Sequence, residues 1–251
     1  ARRIDHEQPA EGTQSICRVP AREKQLSIGP WLGDRNPWEI ERADLTYPVK
    51  FGGYIKKDVI NGKETVVWVH GDTVLAKAYD NPIPGFDTRN TVNLRLWKSI
   101  PAETFDFTRF NTGDYYGTIE RTQDAEMISS VLYPNDSTQN GRELRLKQQY
   151  FFVSATIQDI VRRFKADNKN LNDLPKKVAM QLNDTHPSMA VIELLRVLID
   201  ENQFDFKTAW SVVTQVFSYT NHTILPEALE KWSVEVIGRI LPRHLELIYL
   251  V

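Results

Sequence analysis

Alternation of apolar and polar side chains dominates the first half of the chain. Residues 49–56 place Val, Phe, Gly and Ile at every second position, and residues 92–96 repeat this period with Val and Leu. A period of two is typical of half-buried strands. Asn61-Gly62 precedes a further β-rich run and favours the positive φ angles of a hairpin turn. We therefore predict a β-rich, mostly antiparallel region over residues 48–98, with the proline-containing residues 81–85 as a loop.

The second half of the chain changes to a helical period. Ile157, Ile160, Val161 and Phe164 lie at i, i+3, i+4 and i+7, opposite charged and amide side chains, which predicts an amphipathic helix. Further helices are predicted over residues 107–132 with an interruption at Gly113, over residues 189–199 after Pro187, around residues 209–216, and from Pro226 with Glu227 in its first turn.

One short apolar run in this half has the character of a buried strand. Val178-Ala179-Met180 is followed by polar residues, as is typical of a strand in a parallel sheet. Strands that alternate with helices indicate an α/β fold. Ligands bind beyond the carboxyl ends of strands in such sheets, which directs attention to the cluster Asn183-Asp184-Thr185-His186. The alternative is that Asp184 or Thr185 simply caps the following helix.

Composition narrows the classes of protein without identifying one. Apolar residues make up 41% and charged residues 25% of the chain, as in ordinary globular proteins, and the formal net charge is −2. The chain has no basic stripe that would predict nucleic-acid binding. Cys17 is the single cysteine, which excludes an internal disulfide framework and a cysteine-rich metal site. Residues 1–30 are polar and without a sustained period, so we expect a disordered leader there.

Two more polar clusters are candidates for a site. Residues 219–223 place Tyr, Thr, Asn, His and Thr before Pro226, and residues 133–137 read Tyr-Pro-Asn-Asp-Ser. The alternatives are a polar loop between two helices for the former and a turn required by conformation for the latter. Asp184, His186 and His222 are conceivable metal ligands, but no helical His-x-x-x-His pair supports a metal site. From the residues alone, the chain is interpreted as a domain for a polar or polyhydroxyl ligand.

These clusters occur, in order, within a series of stretches that resemble the α-glucan phosphorylases, a family that acts on glycogen and starch. The resemblance extends from Trp31 to Tyr249. It is carried by residues 36–42 (NPWEIER), 78–85 (AYDNPIPG), 93–97 (NLRLW), 131–136 (VLYPND), 143–150 (ELRLKQQY), 181–187 (QLNDTHP), 219–223 (YTNHT), 226–232 (PEALEKW) and 241–244 (LPRH).

The resemblance implies an enzyme that cleaves terminal α-1,4-glucosyl units with orthophosphate and releases glucose 1-phosphate with retention of configuration. It implies an α/β fold that is part of the N-terminal Rossmann-like domain of a two-domain GT-B-type glycosyltransferase, with a β-rich insertion. Pyridoxal phosphate is the implied cofactor. Its lysine belongs to the C-terminal domain of the family and matches no position of this chain. A homodimer formed through residues 111–130 is implied as well, and the cytoplasm or a plastid is the implied location.

The same resemblance assigns roles to individual residues. His222 matches the histidine that hydrogen-bonds the glucose 6-hydroxyl, and Asp136 matches the aspartate of a mobile loop that gates the catalytic site. The other matching residues line the sugar pocket or shape it: Asn221, Thr223, Asp184, His186 and Glu230. Arg145 follows the mobile loop; it either holds that loop or forms a structural ion pair.

Departures from the family pattern limit what the resemblance implies. Ser137 and Thr138 stand where vertebrate relatives carry Asn and an aromatic residue, so an aromatic inhibitor site at the cleft mouth is not expected. Residues 1–30 do not match the family segment that precedes Asn36, and the family's upstream glycine-rich run is not in the chain. We therefore expect an internal fragment of the N-terminal half that is inactive alone. The alternative is a non-catalytic glucan-binding or subunit-modulating protein.

Overall fold

A computed structural model describes residues 38–60, 63–102, 111–113, 115–226 and 229–251. The predicted disordered leader, residues 1–30, lies outside these ranges. The described elements are five strands, β1 (Ile40–Phe51), β2 (Tyr54–Ile60), β3 (Lys63–Val69), β4 (Asp72–Pro84) and β5 (Thr91–Pro101), then α1 (Tyr115–Ser130), α2 (Gln139–Asp167), a 3-10 helix (Leu171–Lys176), β6 (Met180–Asn183), α3 (Ala190–Arg196), a π-helical turn (Val197–Glu201), α4 (Phe206–Val216), β7 (Phe217–Thr220), α5 (Val234–Ile240) and α6 (Pro242–Ile248).

The first half folds into antiparallel β-structure, as its alternating pattern predicts. One sheet has the order β1-β4-β5, and β2 pairs with β3 in a separate hairpin. That hairpin pairs Ile60 with Lys63. The predicted Asn61-Gly62 turn therefore joins two paired strands, although these two residues themselves lie outside the described ranges.

The prediction of a loop over residues 81–85 is wrong for its first four residues. β4 continues to Pro84 and pairs with β5 through Pro82↔Asn93 and Pro84↔Thr91. Pairing of β1 with β4, in contrast, ends at Ile40↔Asp80. Beyond Asp80, β4 is an edge strand on the side of β1. A proline, which has no N–H group to donate, is tolerated at such an edge.

The long helix α2 provides the centre of the core. The predicted apolar stripe, Ile157, Ile160, Val161 and Phe164, is buried. The helix begins at Gln139, where the Thr138 hydroxyl accepts a hydrogen bond from the Gly141 amide and so caps the first turn. It contacts β1 and β4 on one side and α3 on another. The sheet and the second half of the chain therefore share one buried core.

The second half mixes helices with a small parallel sheet. β6 pairs in parallel with β7, which confirms a parallel strand here, but the strand is Met180–Asn183 and includes only the last residue of the predicted run Val178-Ala179-Met180. α4 confirms the helix predicted around residues 209–216. Residues 217–220 continue from α4 as the strand β7, so the interpretation of residues 219–223 as a loop between helices is wrong for the first two residues.

Two helix boundaries differ from the prediction. The helix predicted from Pro226 is only a 3-10 turn at its first residue, and residues 227–228 lie outside the described ranges. Residues 229–233 are not helical, and α5 starts at Val234 with the Ser233 hydroxyl accepting from the Val236 amide. α1 begins at Tyr115, which agrees with the predicted interruption at Gly113, a turn residue with φ of 99°, but it ends at Ser130 and not at residue 132. Residues 107–110 of the predicted helix lie outside the described ranges. No helix among the described residues is long and apolar enough to cross a membrane.

Candidate active site

The two parallel strands bring two of the predicted clusters together. β6 and β7 pair with Leu182 opposite Tyr219 and Asn183 opposite Thr220. Their carboxyl ends therefore lie side by side, and the chain leaves them through residues 184–186 and 221–223. This edge of a parallel sheet is where ligands bind in α/β folds.

Hydrogen bonds join these two strand ends into what we call the strand-end clasp, formed by Asn183, Asp184, Thr220 and His222. The Asp184 amide donates to the Thr220 carbonyl at 2.8 Å, and the His222 amide donates to Asp184 Oδ1 at 2.9 Å. His222 Nε2 lies 3.3 Å from Asn183 Oδ1. Because an amide oxygen only accepts, Nε2 is the donor in this contact.

Asp184 does not cap the next helix, so the capping alternative is wrong for this residue. α3 begins at Ala190, and its N-cap Met189 makes no side-chain hydrogen bond. Asp184 instead has a left-handed backbone with φ of 59°, which turns its carboxylate back toward the His222 amide. A short polar side chain tolerates this conformation better than most.

Replacing Asp184 tests the clasp directly. Asp184→Ala removes the acceptor of the His222 amide, so we expect a loss of about 1–2 kcal/mol in the free energy of unfolding, together with faster solvent exchange of that amide. Asp184→Asn keeps an acceptor oxygen and should lose less. Urea unfolding and amide exchange by NMR give the two measurements.

Asp87 offers a matched control for the backbone conformation. It also has a left-handed backbone, with φ of 51°, but lies exposed in the turn between β4 and β5. Asp87→Ala should therefore change stability without changing exchange at His222. Equal His222 exchange in the wild type and Asp184→Ala would contradict the clasp.

Asn221 and Thr223 use their side chains within their own loop. Asn221 Oδ1 accepts from the Thr223 amide, and Thr223 Oγ1 accepts from the Leu225 amide, each at 3.3 Å. These contacts shape the backbone around the exposed imidazole of His222. They are consistent with side chains that form the pocket by fixing its loop.

The third cluster lies in the segment 131–138 between α1 and α2, which we call the gate loop after the role that the resemblance implies for Asp136. Tyr133 has a left-handed backbone with φ of 58°, and Asn135 Oδ1 accepts from the Ser137 amide at 3.0 Å. Arg142 Nε donates to the Asp136 carbonyl at 2.8 Å. At Gly141 a β-carbon would clash with the Asn135 carbonyl oxygen, so only glycine lets the loop pack this closely on α2.

Arg145 connects the gate loop to the segment before α5. Its Nη1 lies 3.2 Å from Asp136 Oδ2, and its Nε donates to Glu230 Oε1 at 2.6 Å. Arg145 therefore contacts the loop and also forms the ion pair of the second alternative, so the two alternatives are not exclusive. Glu230 also accepts from Gln149 Nε2 at 2.9 Å and from Thr185 Oγ1 at 3.3 Å.

A cleft of about 820 Å³ opens between these elements. Four of the predicted site residues line it, and the rest of its wall comes from the same two segments and α2: Asp136, Arg145, His186 and Glu230, with Ser137, Arg142, Pro226, Leu229, Lys231 and Trp232. The clasp residues Asp184 and His222 are not part of this lining. Thr185 joins the two groups, since it follows Asp184 in the chain and donates to Glu230.

Comparison with known proteins identifies the family. A model of the carbohydrate phosphorylase family matches residues 18–251. The chain belongs to this family. The match begins at residue 18, so the expectation that residues 1–30 do not match the family is wrong for residues 18–30.

Individual relatives agree with this result. Glycogen phosphorylase 2 of Dictyostelium discoideum is 53% identical over 220 residues, which are 87% of this chain and 22% of that protein. Glycogen phosphorylase of Saccharomyces cerevisiae is 52% identical over 222 residues, 87% of this chain and 24% of the relative. The chloroplastic/amyloplastic alpha-1,4 glucan phosphorylase L-2 isozyme of Solanum tuberosum is 48% identical over 225 residues, 88% of this chain and 23% of the relative. The chain thus spans about a quarter of the length of these phosphorylases.

Two residues of the candidate site are not among the predicted site residues. Gln149 lies four residues after Arg145, on the same face of α2, and shares Glu230 with it. That spacing was readable in the sequence, since side chains at i and i+4 lie on one helix face. Asn183 was noted only as part of its cluster, and its contact with His222 depends on the pairing of β6 with β7.

The described residues do not form a site for the cofactor that the family implies. Lys231 is the only lysine that lines the cleft in the described ranges, and it is exposed on the rim. Arg145 is already paired with carboxylates, and Arg142 donates to the Asp136 carbonyl. These groups do not fit a buried phosphate cradle for pyridoxal phosphate, so no chemical step is derived through it. Within the described ranges, no group of three or more His, Cys, Asp or Glu residues could hold a metal ion.

Proposed function

We propose that this chain provides the sugar-binding side of an α-glucan phosphorylase active site. The reaction is phosphorolysis of terminal α-1,4-glucosyl units of glycogen, starch or maltodextrin to glucose 1-phosphate. The observation that carries this proposal is the strand-end clasp, which fixes His222 at the carboxyl end of a parallel strand pair, while the neighbouring Thr185 donates to Glu230 in the wall of a polar cleft. The family match and the names of the relatives support the same conclusion.

The side chains of the site suit a polyhydroxyl ligand. His222 donates through Nε2 to Asn183, which leaves Nδ1 for a sugar hydroxyl. His186 lines the cleft next to Tyr133, whose ring centroid is 6.1 Å away in an edge-to-face arrangement. The cleft volume of about 820 Å³ lies within the range usual for small-molecule sites.

Asp136 contributes a charge at the cleft mouth. Its side chain is 60% exposed, and it lies on the gate loop. A fixed carboxylate at this position repels orthophosphate while the loop is closed, so loop movement would precede phosphate entry. In this proposal Asp136 controls access, and His222 binds the glucosyl unit.

The remaining parts of the proposal concern the whole enzyme. We infer a two-domain GT-B-type architecture in which the other domain carries pyridoxal phosphate, and a dimer that uses residues 111–130. Exposed apolar side chains on α1 support a partner surface there: Tyr116 is 88% and Met127 is 49% exposed. Location in the cytoplasm or a plastid stays a prediction.

A chimeric enzyme tests the function. Residues 31–251 would replace the matching segment of the Saccharomyces cerevisiae phosphorylase, and glucose 1-phosphate release from a maltooligosaccharide would be measured. We expect an active chimera whose kcat/KM falls roughly 10–100-fold with His222→Ala, because an unmade hydrogen bond costs about 1–3 kcal/mol. His70→Ala is the matched control, since this histidine lies between β3 and β4.

The outcomes separate the two candidate functions. A chimera that releases no product, while the isolated chain binds maltoheptaose in calorimetry, would favour the non-catalytic glucan-binding alternative. An active chimera that is indifferent to His222→Ala would refute the role of this histidine.

A further inference from the structure

Arg145 holds a position that neither a loop contact nor an ion pair alone explains. It lies on α2, its side chain is 20% exposed, and its guanidinium reaches carboxylates from two separate segments. Asp136 comes from the gate loop, and Glu230 comes from the segment before α5. The guanidinium carbon also lies 5.9 Å from the ring centroid of Tyr133, a second gate-loop residue.

The two carboxylate contacts are unequal. Glu230 is 12% exposed, lies 2.6 Å from Arg145 Nε, and accepts further hydrogen bonds from Gln149 and Thr185. Asp136 is 60% exposed and lies 3.2 Å from Nη1. The contact with Glu230 is thus the shorter, more buried and better supported of the two. The contact with Asp136 is therefore the weaker of the two.

We propose that Arg145 is a positioning residue that latches the gate loop over the cleft while it stays anchored on Glu230. The anchor determines where the guanidinium points, so Glu230 acts on the loop through Arg145 without touching Asp136. Because Glu230 also lines the cleft, the latch joins the cleft wall to the loop that covers it. The inference rests on the proposed function only in treating residues 131–138 as a gate.

The geometry requires arginine rather than a positive charge alone. Nε donates to Glu230 while Nη1 of the same planar group donates to Asp136. A lysine ammonium is a single point on a flexible stem and does not reproduce this fork. Arg145→Lys should therefore fail to hold both carboxylates, although it preserves the charge.

Solvent exchange of the Ser137 amide reports on the latch without any sugar present. This amide donates to Asn135 Oδ1 within the gate loop. The Asn172 amide is an internal reference, since it donates to Asn170 Oδ1 at 3.1 Å in the 3-10 helix, away from the cleft. We expect NMR exchange at Ser137 to become roughly two- to fivefold faster in Arg145→Gln and Asp136→Asn, as suits a pair that is partly exposed.

Two comparisons separate a latch from a general stabilising role. Arg145→Lys should exchange as fast as Arg145→Gln at Ser137, whereas wild-type exchange in Arg145→Lys would overturn the proposal. Glu230→Gln should also speed exchange at Ser137, and adding Asp136→Asn to it should have no further effect. Fully additive effects of these two changes would mean that Glu230 does not act through Arg145.

The design separates this inference from the proposed function. Exchange is measured on the full chain, without glucan or phosphate, so the latch is tested even if the chimera is inactive. Acceleration at both Ser137 and Asn172 in the Arg145 variants would indicate loss of overall stability and would overturn a local latch. Acceleration confined to Ser137 supports it.

Discussion

Glu193→Ala is expected to lower the free energy of unfolding by about 3–5 kcal/mol, because it removes the centre of a fully buried polar network. Glu193 has no exposed surface. Its carboxylate accepts from Arg196 at 2.8 and 2.9 Å and from His244 Nε2, Ser154 and Tyr150 at 2.7, 2.7 and 3.2 Å. Without it, these buried donors have lost their acceptor.

Charge explains why the loss is large. Burial raises the pKa of Glu193, but Arg196 and His244 lower it by more than burial raises it. The net pKa therefore lies well below its ordinary value, and the group is ionised. Burial lowers the pKa of His244, whose Nε2 donates to the Glu193 carboxylate at 2.7 Å. Glu193→Ala leaves the guanidinium of Arg196 buried with its main counter-charge removed. Such an unpaired buried charge is strongly destabilising.

Glu201→Ala is the matched control, because it removes the exposed partner of the same arginine. Glu201 lies 2.9 Å from Arg196 but is 48% exposed, so its loss should be at most about 1 kcal/mol. Urea unfolding with linear extrapolation compares the two variants. If Glu193→Ala were as stable as Glu201→Ala, the buried network would not be a main support of the fold.

This network shows where sequence-based prediction reaches its limit. The apolar periods of α2 and α4 were readable because each depends on neighbouring positions in the chain. Glu193 was not singled out, since its partners Ser154 and His244 are 39 and 51 residues away. Glu193 lies in α3, Ser154 in α2 and His244 in α6. No local pattern in the sequence predicts that these three side chains meet in the core.

The candidate site shows the same division. Its polar clusters could be found from residue types and from their place after a predicted strand. The contact of Asp184 with the His222 amide depends on β7, whose four residues have mainly exposed side chains and are too few to establish a strand period. Likewise, the prolines of β4 predict that the strand ends before them. Only the structure shows that the pairing with β1 ends at Asp80, which lets β4 continue as an edge strand. Roles such as sugar binding came only from resemblance to the family.

Arg95→Met is expected to lower the free energy of unfolding by about 3 kcal/mol, because it leaves two buried carboxylates without their shared cation. Arg95 donates to both oxygens of Asp80 at 2.7 Å and to Asp159 Oδ2 at 2.7 Å. Asp80 lies in β4 and Asp159 in α2, and they are 3% and 4% exposed. Remaining donors to these carboxylates, Arg42 and Arg162, keep the loss at the lower end of the range for a broken buried pair.

The loss should depend on pH in a defined direction. Burial raises the pKa of Asp80, but Arg95 and Arg42 lower it, so its net pKa in the folded protein lies below the ordinary value. The wild type therefore gains stability from Asp80 above about pH 4 and loses it as the pH falls. In Arg95→Met the effect of burial on the pKa of Asp80 dominates, and a protonated carboxyl costs less free energy to bury than a carboxylate. The difference between the two proteins should be largest near about pH 7 and should shrink toward about pH 3.

Urea unfolding at a series of pH values measures this difference, with Arg42→Met as the control. Arg42 donates to Asp80 from a more exposed position, so its replacement should cause a clearly smaller loss. A pH-independent loss for Arg95→Met would mean that packing, rather than charge, explains it.

Because Arg95 joins the sheet to α2, and α2 carries Arg145 and Gln149, the variant should also speed exchange at Ser137 in the gate loop. A stability loss with an unchanged gate loop would mean that the loop is positioned by the helical half of the chain alone.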